Sequence, residues 1–247
     1  MDLKDKVAII TGGTHGIGAA TALNLAKQGT HLALIARNAG DGKLKSEIET
    51  FGVQCIIIQA DLAKEDECIT AVKKVHDHFG KIDILVHSAG SAAPGSLLNV
   101  DKDVWYKAFD IHLHAIFHLC RAIVPFMKEQ KQGSIILISS AAGVRGVKNA
   151  ISYAVVKGAL PQFTRAMAFE LSDFNISVNC VSPGVIRTRF QDFLTPEQVA
   201  NNINNRIPLH KEGSPEDVAD VIQSLIQNNF ITGENVVIDG GMTMRIV

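Results

Sequence analysis

No segment of this 247-residue sequence reaches the run of about eighteen apolar residues that a membrane span needs. Its start, Met1-Asp2-Leu3-Lys4-Asp5-Lys6, alternates charge and lacks the basic region, apolar stretch and small-residue cleavage site of a secretory leader. Cysteine is scarce and scattered: Cys55, Cys68, Cys120 and Cys180 form no Cys-x-x-Cys pair, which argues against a disulfide framework and reads as reduced thiols. An excess of one charge is missing too. The 24 Lys and Arg against 25 Asp and Glu leave a net charge of -1, and no basic stripe forms, so neither nucleic acid nor a membrane is an expected partner. His114 and His118 share a helix face, but no third ligand accompanies them, so no metal is expected and packing is the preferred reading. These absences lead to the expectation of a cytoplasmic, metal-free protein.

What is present is a globular composition, 47% hydrophobic and 20% charged, with apolar runs of strand length alternating with longer stretches of helical period. Strands are expected at residues 7–10, 32–35, 55–58, 82–86, 135–138, 178–181 and 235–238. Helical patterns fall at 16–28, 42–51, 64–79 and 153–171, and one long pattern carries Trp105, Phe109, Leu113, Phe117 and Leu119. Strands apolar throughout and separated by helices imply an α/β fold, a doubly wound seven-stranded parallel sheet covered by helices on both faces. No linker or repeat divides the chain, so residues 1–247 are expected to be a single domain. The Asn- and Gln-rich stretch at 189–210 is the candidate for a mobile substrate loop, with Phe190, Phe193 and Leu194 as an apolar lid.

The first strand runs into Thr11-Gly12-Gly13-Thr14-His15-Gly16-Ile17-Gly18, where a helix begins. Gly12 and Gly16 allow a tight turn and close approach to a pyrophosphate, Gly18 allows close helix–sheet packing, and the helix N-terminus favours phosphate. About twenty residues on, Ala36-Arg37 stands where an NAD site usually has a carboxylate for the ribose hydroxyls. Arg37 suits a 2′-phosphate instead, which predicts NADP(H) as the preferred coenzyme with NAD(H) as the alternative; a solvated strand-end arginine is the rival reading. Later, Tyr153 and Lys157 lie four residues apart on one helix face, and Ser140 ends the fifth strand. A nearby ammonium would favour the Tyr153 phenolate and bring the phenol towards a working acid/base range, while Ser140 would donate to a substrate oxygen.

With Asp61-Leu62, Ser88-Ala89-Gly90, Asn179, Ser182-Pro183-Gly184, Thr188 and Asp239-Gly240-Gly241, these motifs span nearly the whole chain. The chain resembles the short-chain dehydrogenase/reductase family in its compact single-domain form, including 3-oxoacyl carrier-protein reductases. The resemblance implies an NAD(P)-dependent oxidoreductase that transfers a hydride between the coenzyme and a carbonyl or secondary alcohol. It implies Tyr153 as acid/base, Ser140 as the substrate-orienting residue and Lys157 as the holder of the nicotinamide ribose. Asp61 would contact adenine, with helix N-capping as its rival role. Ala89 and Gly90 would lie along the coenzyme, and Pro183, Gly184, Ile186 and Thr188 would fix the nicotinamide. It also implies a homotetramer or homodimer.

Two departures stand out. His87-Ser88-Ala89-Gly90 replaces the family's usual Asn-Ala-Gly type sequence, and His112 occupies the place of an asparagine that supports a water linked to the catalytic lysine. Histidine titrates near neutrality, so His112 would serve the relay with a new pH dependence, or else mark a coenzyme-binding protein with weak or no catalysis. The substrate class is a small-molecule or acyl-thioester carbonyl, with Arg187 and Arg189 as candidate basic surface for an acidic carrier. An epimerase or dehydratase using the same Tyr/Lys pair is disfavoured for want of residues for a longer substrate domain.

Overall fold

The strands form where apolar residues run unbroken, because both faces of the sheet are covered. The computed structural model describes residues 1–192 and 194–244. In chain order it contains β1 (Val7–Thr11), α1 (Gly16–Lys27), β2 (His31–Ala36), α2 (Lys43–Glu49), β3 (Cys55–Gln59), α3 (Glu65–Phe79) and β4 (Ile84–His87). Next come α4 (Lys102–Phe109), a π-helical turn (Asp110–His114), α5 (Ala115–Gln130), β5 (Gly133–Ile138), α6 (Ala141–Val144), α7 (Ile151–Leu171) and β6 (Ile176–Pro183). The 3₁₀ turn Arg189–Gln191, α8 (Pro196–Asn201), a second π turn (Asn202–Arg206), α9 (Pro215–Gln227) and β7 (Asn235–Ile238) complete the order.

The seven strands form one sheet in the order β3-β2-β1-β4-β5-β6-β7, every neighbouring pair parallel. Alternate residues of a strand serve opposite faces. Val7 and Ile9 pack in the core shared with α3, α5 and α7, whereas Ala8 and Ile10 pack in the core under α1 and α9. The strand order reverses between β1 and β4, and a crevice at the carboxyl ends of the strands opens there.

The long apolar pattern from Trp105 to Leu119 is not one regular helix. It is α4 and α5 joined by the π turn at Asp110–His114, which re-aims the side chains of that turn and brings His112 inside. Helix α9, unforeseen from periodicity, starts at a capping box: the Ser214 hydroxyl accepts the Asp217 amide at 3.1 Å while Asp217 accepts the Ser214 amide at 2.7 Å. The expected loop at 189–210 contains α8 and two further helical turns. No described helix is long and apolar enough to cross a membrane.

Candidate active site

Backbone geometry at the end of β1 shapes the first wall of the crevice. Gly12 has φ +63° and Gly16 φ +53°, conformations that favour glycine. A Cβ on Gly12 would stand 2.9 Å from the Ala89 backbone, and one on Gly18 would run into the Gly12 carbonyl. The loop is therefore pressed between β4 and its own helix. His15 occupies the N-cap of α1 but gives no side-chain cap, so the first amides remain donors for a phosphate.

A cleft of about 1180 Å³ follows from this loop. It brings together Gly12, Thr14, His15, Gly16, Ile17, Arg37, Asp61, Leu62, Ala89, Gly90, His112, Ser140, Tyr153, Lys157, Pro183, Gly184, Ile186 and Thr188. Of the catalytic and coenzyme-contact residues anticipated from sequence, Gly18 alone is not in the lining; a Cβ there would meet the Gly12 carbonyl. Asp61 is no helix cap: Lys64 holds the N-cap position of α3, and Asp61 Oδ1 accepts the Ala63 amide at 3.2 Å. The opposite wall is equally fixed. The Gly184 amide donates to Ile238 O at 2.9 Å, and a Cβ on Gly184 would meet Asp239 at 2.7 Å. Ile186 bridges to Gly213, and Arg187 is paired with the largely buried Glu212. Arg187 is thus tied to Glu212 while its own side chain stays 57% exposed. Phe190 lines the cleft, its ring centroid 6.1 Å from that of Tyr153; Phe193 lies outside the described residues.

Ser140 lies two residues past β5 and caps α6, its Oγ accepting the Ala142 amide at 3.1 Å. Tyr153 and Lys157 sit on consecutive turns of α7. The Ser139 hydroxyl donates to Lys157 O at 2.6 Å, which pins that turn against the end of β5. The ammonium of Lys157, however, does not acidify the phenol. Lys157 Nζ donates to Ile138 O at 2.7 Å and stands 5.7 Å from the Tyr153 ring centroid. Burial raises the Tyr153 pKa, opposed by a hydrogen bond with Ser140, and burial lowers Lys157 to about 8. The sequence expectation of a phenol acidified by this cation is corrected: desolvation raises the phenol, the Ser140 hydrogen bond alone opposes it, and the phenol stays protonated.

The second correction concerns His112. It is 1% exposed, and its Nε2 lies 2.9 Å from Ser91 O. Burial, then the Lys157 charge, push its pKa down to about 3. It stays neutral through the physiological range, so it confers no titration near pH 7. Nε2 faces both the Ser91 carbonyl and, at 3.3 Å, the Ser91 amide, and Nδ1 is buried without a partner. Sequence reasoning noted His87 but gave it no role. The β1–β4 register sets it beside Thr11, and Thr11 Oγ1 lies 3.0 Å from His87 Nδ1 while accepting the Ala89 amide at 3.1 Å. Burial and then Lys157 push His87 to about 3 as well, with the Ile111 backbone opposing. Its Nε2 has no partner in hydrogen-bonding geometry. Two neutral imidazoles, each with an unspent buried nitrogen, therefore share the field of Lys157.

Residues 12–243 match the family model described as enoyl-(acyl carrier protein) reductase. The chain belongs to the short-chain dehydrogenase/reductase family. It is an NAD(P)-dependent oxidoreductase. A 3-oxoacyl-[acyl-carrier-protein] reductase of Synechocystis is 35% identical, over 98% of both chains, and one of Thermotoga maritima is 34% identical, over 99% of this chain and all of that one. Among solved structures, the L-sorbose reductase of Gluconobacter frateurii, complexed with NADPH and L-sorbose, superposes with TM-score 0.93 at 28% identity over the full length of both chains. Levodione reductase superposes with TM-score 0.93 at 25% identity, over 98% of this chain and 99% of that one.

The residues present fit a nicotinamide dinucleotide. A Cβ on Gly12 or Gly18 would run into neighbouring backbone, the start of α1 carries no side-chain cap, and no carboxylate stands at the end of β2.

Proposed function

We propose that the protein is an NADP(H)-preferring reductase of a ketone carbonyl, with a 3-oxoacyl thioester as the substrate class to test first. The observation that carries the coenzyme preference is Arg37, exposed at the end of β2 on the cleft wall. Asp41, four residues on, pairs with Lys43 at 3.2 Å on the exposed surface and makes no contact with Arg37. The thioester class is supported by the names of the acyl-carrier-protein relatives and by apolar lining from Ala93, Pro94, Val147 and Phe190.

The reduced nicotinamide, when bound, supplies the hydride. The chain's own groups handle the oxygen. Ser140 Oγ orients the carbonyl by a hydrogen bond, and Tyr153 gives up its phenolic proton to that oxygen as charge develops there. A raised pKa suits this direction, because the phenol is protonated and ready to donate at neutral pH. Lys157 is an ammonium below about pH 8; one of its three N–H groups is spent on Ile138 O, and the others remain for ribose hydroxyls. The neutral His112 ring lines the same cleft. Assembly of Ser140, Tyr153 and Lys157 around one cleft favours turnover over coenzyme binding without catalysis.

Arg37→Asp is expected to lower the ratio of kcat/KM for NADPH over NADH by at least about tenfold, since a charge-assisted bond to phosphate is replaced by repulsion. An unchanged ratio contradicts the preference. A panel of 3-oxoacyl thioesters, cyclic ketones and ketoses, assayed under one set of conditions, tests the substrate class; the highest kcat/KM should fall on a thioester.

A further inference from the structure

Among the described residues, most arginine side chains have a partner within the chain. Arg121 lies over Phe117, Arg145 bonds Thr243 O, Arg165 bonds Gln162, Arg187 pairs with Glu212 and Arg206 bonds Asn202. The side chains of Arg37 and Arg189 have no hydrogen bond, ion pair or ring contact with any described residue. Both line the cleft. Arg189 also lines a smaller adjoining cavity of about 280 Å³, with Thr14, His15, Gly42 and Lys45.

That cavity lies off the glycine loop, beyond the end of β2, and so at the adenosine end of the cleft. Arg189 comes to it from the other side of the sheet's switch point, as the first residue of the 3₁₀ turn that opens the 189–210 segment. The approach is held in place: Thr188 caps that turn, and a Cβ on Gly16 would lie 3.2 Å from Thr188 Cγ2. The one carboxylate in the cavity wall, Asp41, is already paired with Lys43. An unpaired guanidinium and an imidazole beside a small open cavity suit a phosphate monoester, while Lys45 in the same wall is paired with Glu49.

We propose that Arg189 is a specificity-determining residue that reads the 2′-phosphate of NADP(H) together with Arg37, so that the segment following Thr188 settles over the cleft more firmly with NADP(H) than with NAD(H). The inference rests on the NADP(H) preference proposed above. It adds a coupling: the coenzyme's phosphate orders the same segment that carries Phe190 beside Tyr153, so the correct coenzyme helps to close the substrate side.

The test uses the full chain and two readouts. Adenosine 2′,5′-bisphosphate binding, by calorimetry, should weaken about tenfold in Arg189→Gln and recover in part in Arg189→Lys, while the parental preference for that probe over 5′-AMP should shrink by the same factor. Hydrogen exchange of amides 188–206 should be slower with NADP⁺ than with NAD⁺ in the parent, and that difference should vanish in Arg189→Gln. Equal weakening of both probes, or an exchange difference that survives the substitution, overturns the inference. Arg37→Gln separates the two claims: if it removes the preference for the bisphosphate and Arg189→Gln does not, the coenzyme reading stands and the role of Arg189 falls. If neither substitution alters the preference, both fall.

Discussion

His87 and His112 carry a cost that the fold bears in exchange for an uncharged, polar surrounding to Lys157. Each has its pKa depressed from 6.5 to about 3, so between those values the unfolded chain binds more protons than the folded one. Stability is therefore full above about pH 6.5 and is lost as the pH falls towards 3. The loss amounts to about 2 kcal/mol per imidazole at pH 5. The double substitution His87→Asn with His112→Asn is expected to flatten the fall in urea midpoint between pH 7 and pH 5. A fall as steep as the parent's would show that these imidazoles are not held neutral. At this scale the sequence was partly legible. Ser140, Tyr153 and Lys157 were visible as residue types at a telling spacing. The partner of Lys157, the Ile138 carbonyl, was not, because it depends on how closely α7 approaches the end of β5. Nor was the protonated state of Tyr153, which burial rather than local spacing decides.

Among the elements, strands were the easiest to read, since a parallel strand buried on both faces leaves an unbroken apolar run such as Val7-Ala8-Ile9-Ile10. The π turn at Asp110–His114 was hidden, because one extra residue in a turn barely disturbs a helical pattern while changing where His112 points. Helix α9 had a signal that went unused, the serine-to-aspartate spacing of a capping box at Ser214 and Asp217. That cap joins a helix whose Val218, Ile222 and Leu225 fill the core beneath β1 and β2. Ser214→Ala is expected to destabilise the protein by about 1 kcal/mol in urea unfolding. A change indistinguishable from zero would mean that packing alone fixes the start of α9.

For the whole molecule, the strand order places the glycine loop, the Ser140 end of β5 and the Pro183-Gly184 turn along one edge, and the motifs spread over the sequence meet there. Large apolar residues stay exposed on three helices: Tyr106 on α4, Phe117 on α5 and Phe169 on α7, the last 88% exposed. We propose that these side chains meet a second copy of the chain in a homodimer or homotetramer. Light scattering at micromolar concentration should return a mass of two or four chains, and Phe169→Glu should reduce it; a parental mass of one chain would contradict this. The most direct measurement for the account as a whole compares parent and Tyr153→Phe, recording NADPH oxidation with a 3-oxoacyl thioester alongside the NADPH dissociation constant of each. Turnover should fall by about 10²- to 10⁴-fold while the dissociation constant stays within about twofold. Turnover in the variant equal to the parent's would contradict proton donation by Tyr153 and the mechanism built on it.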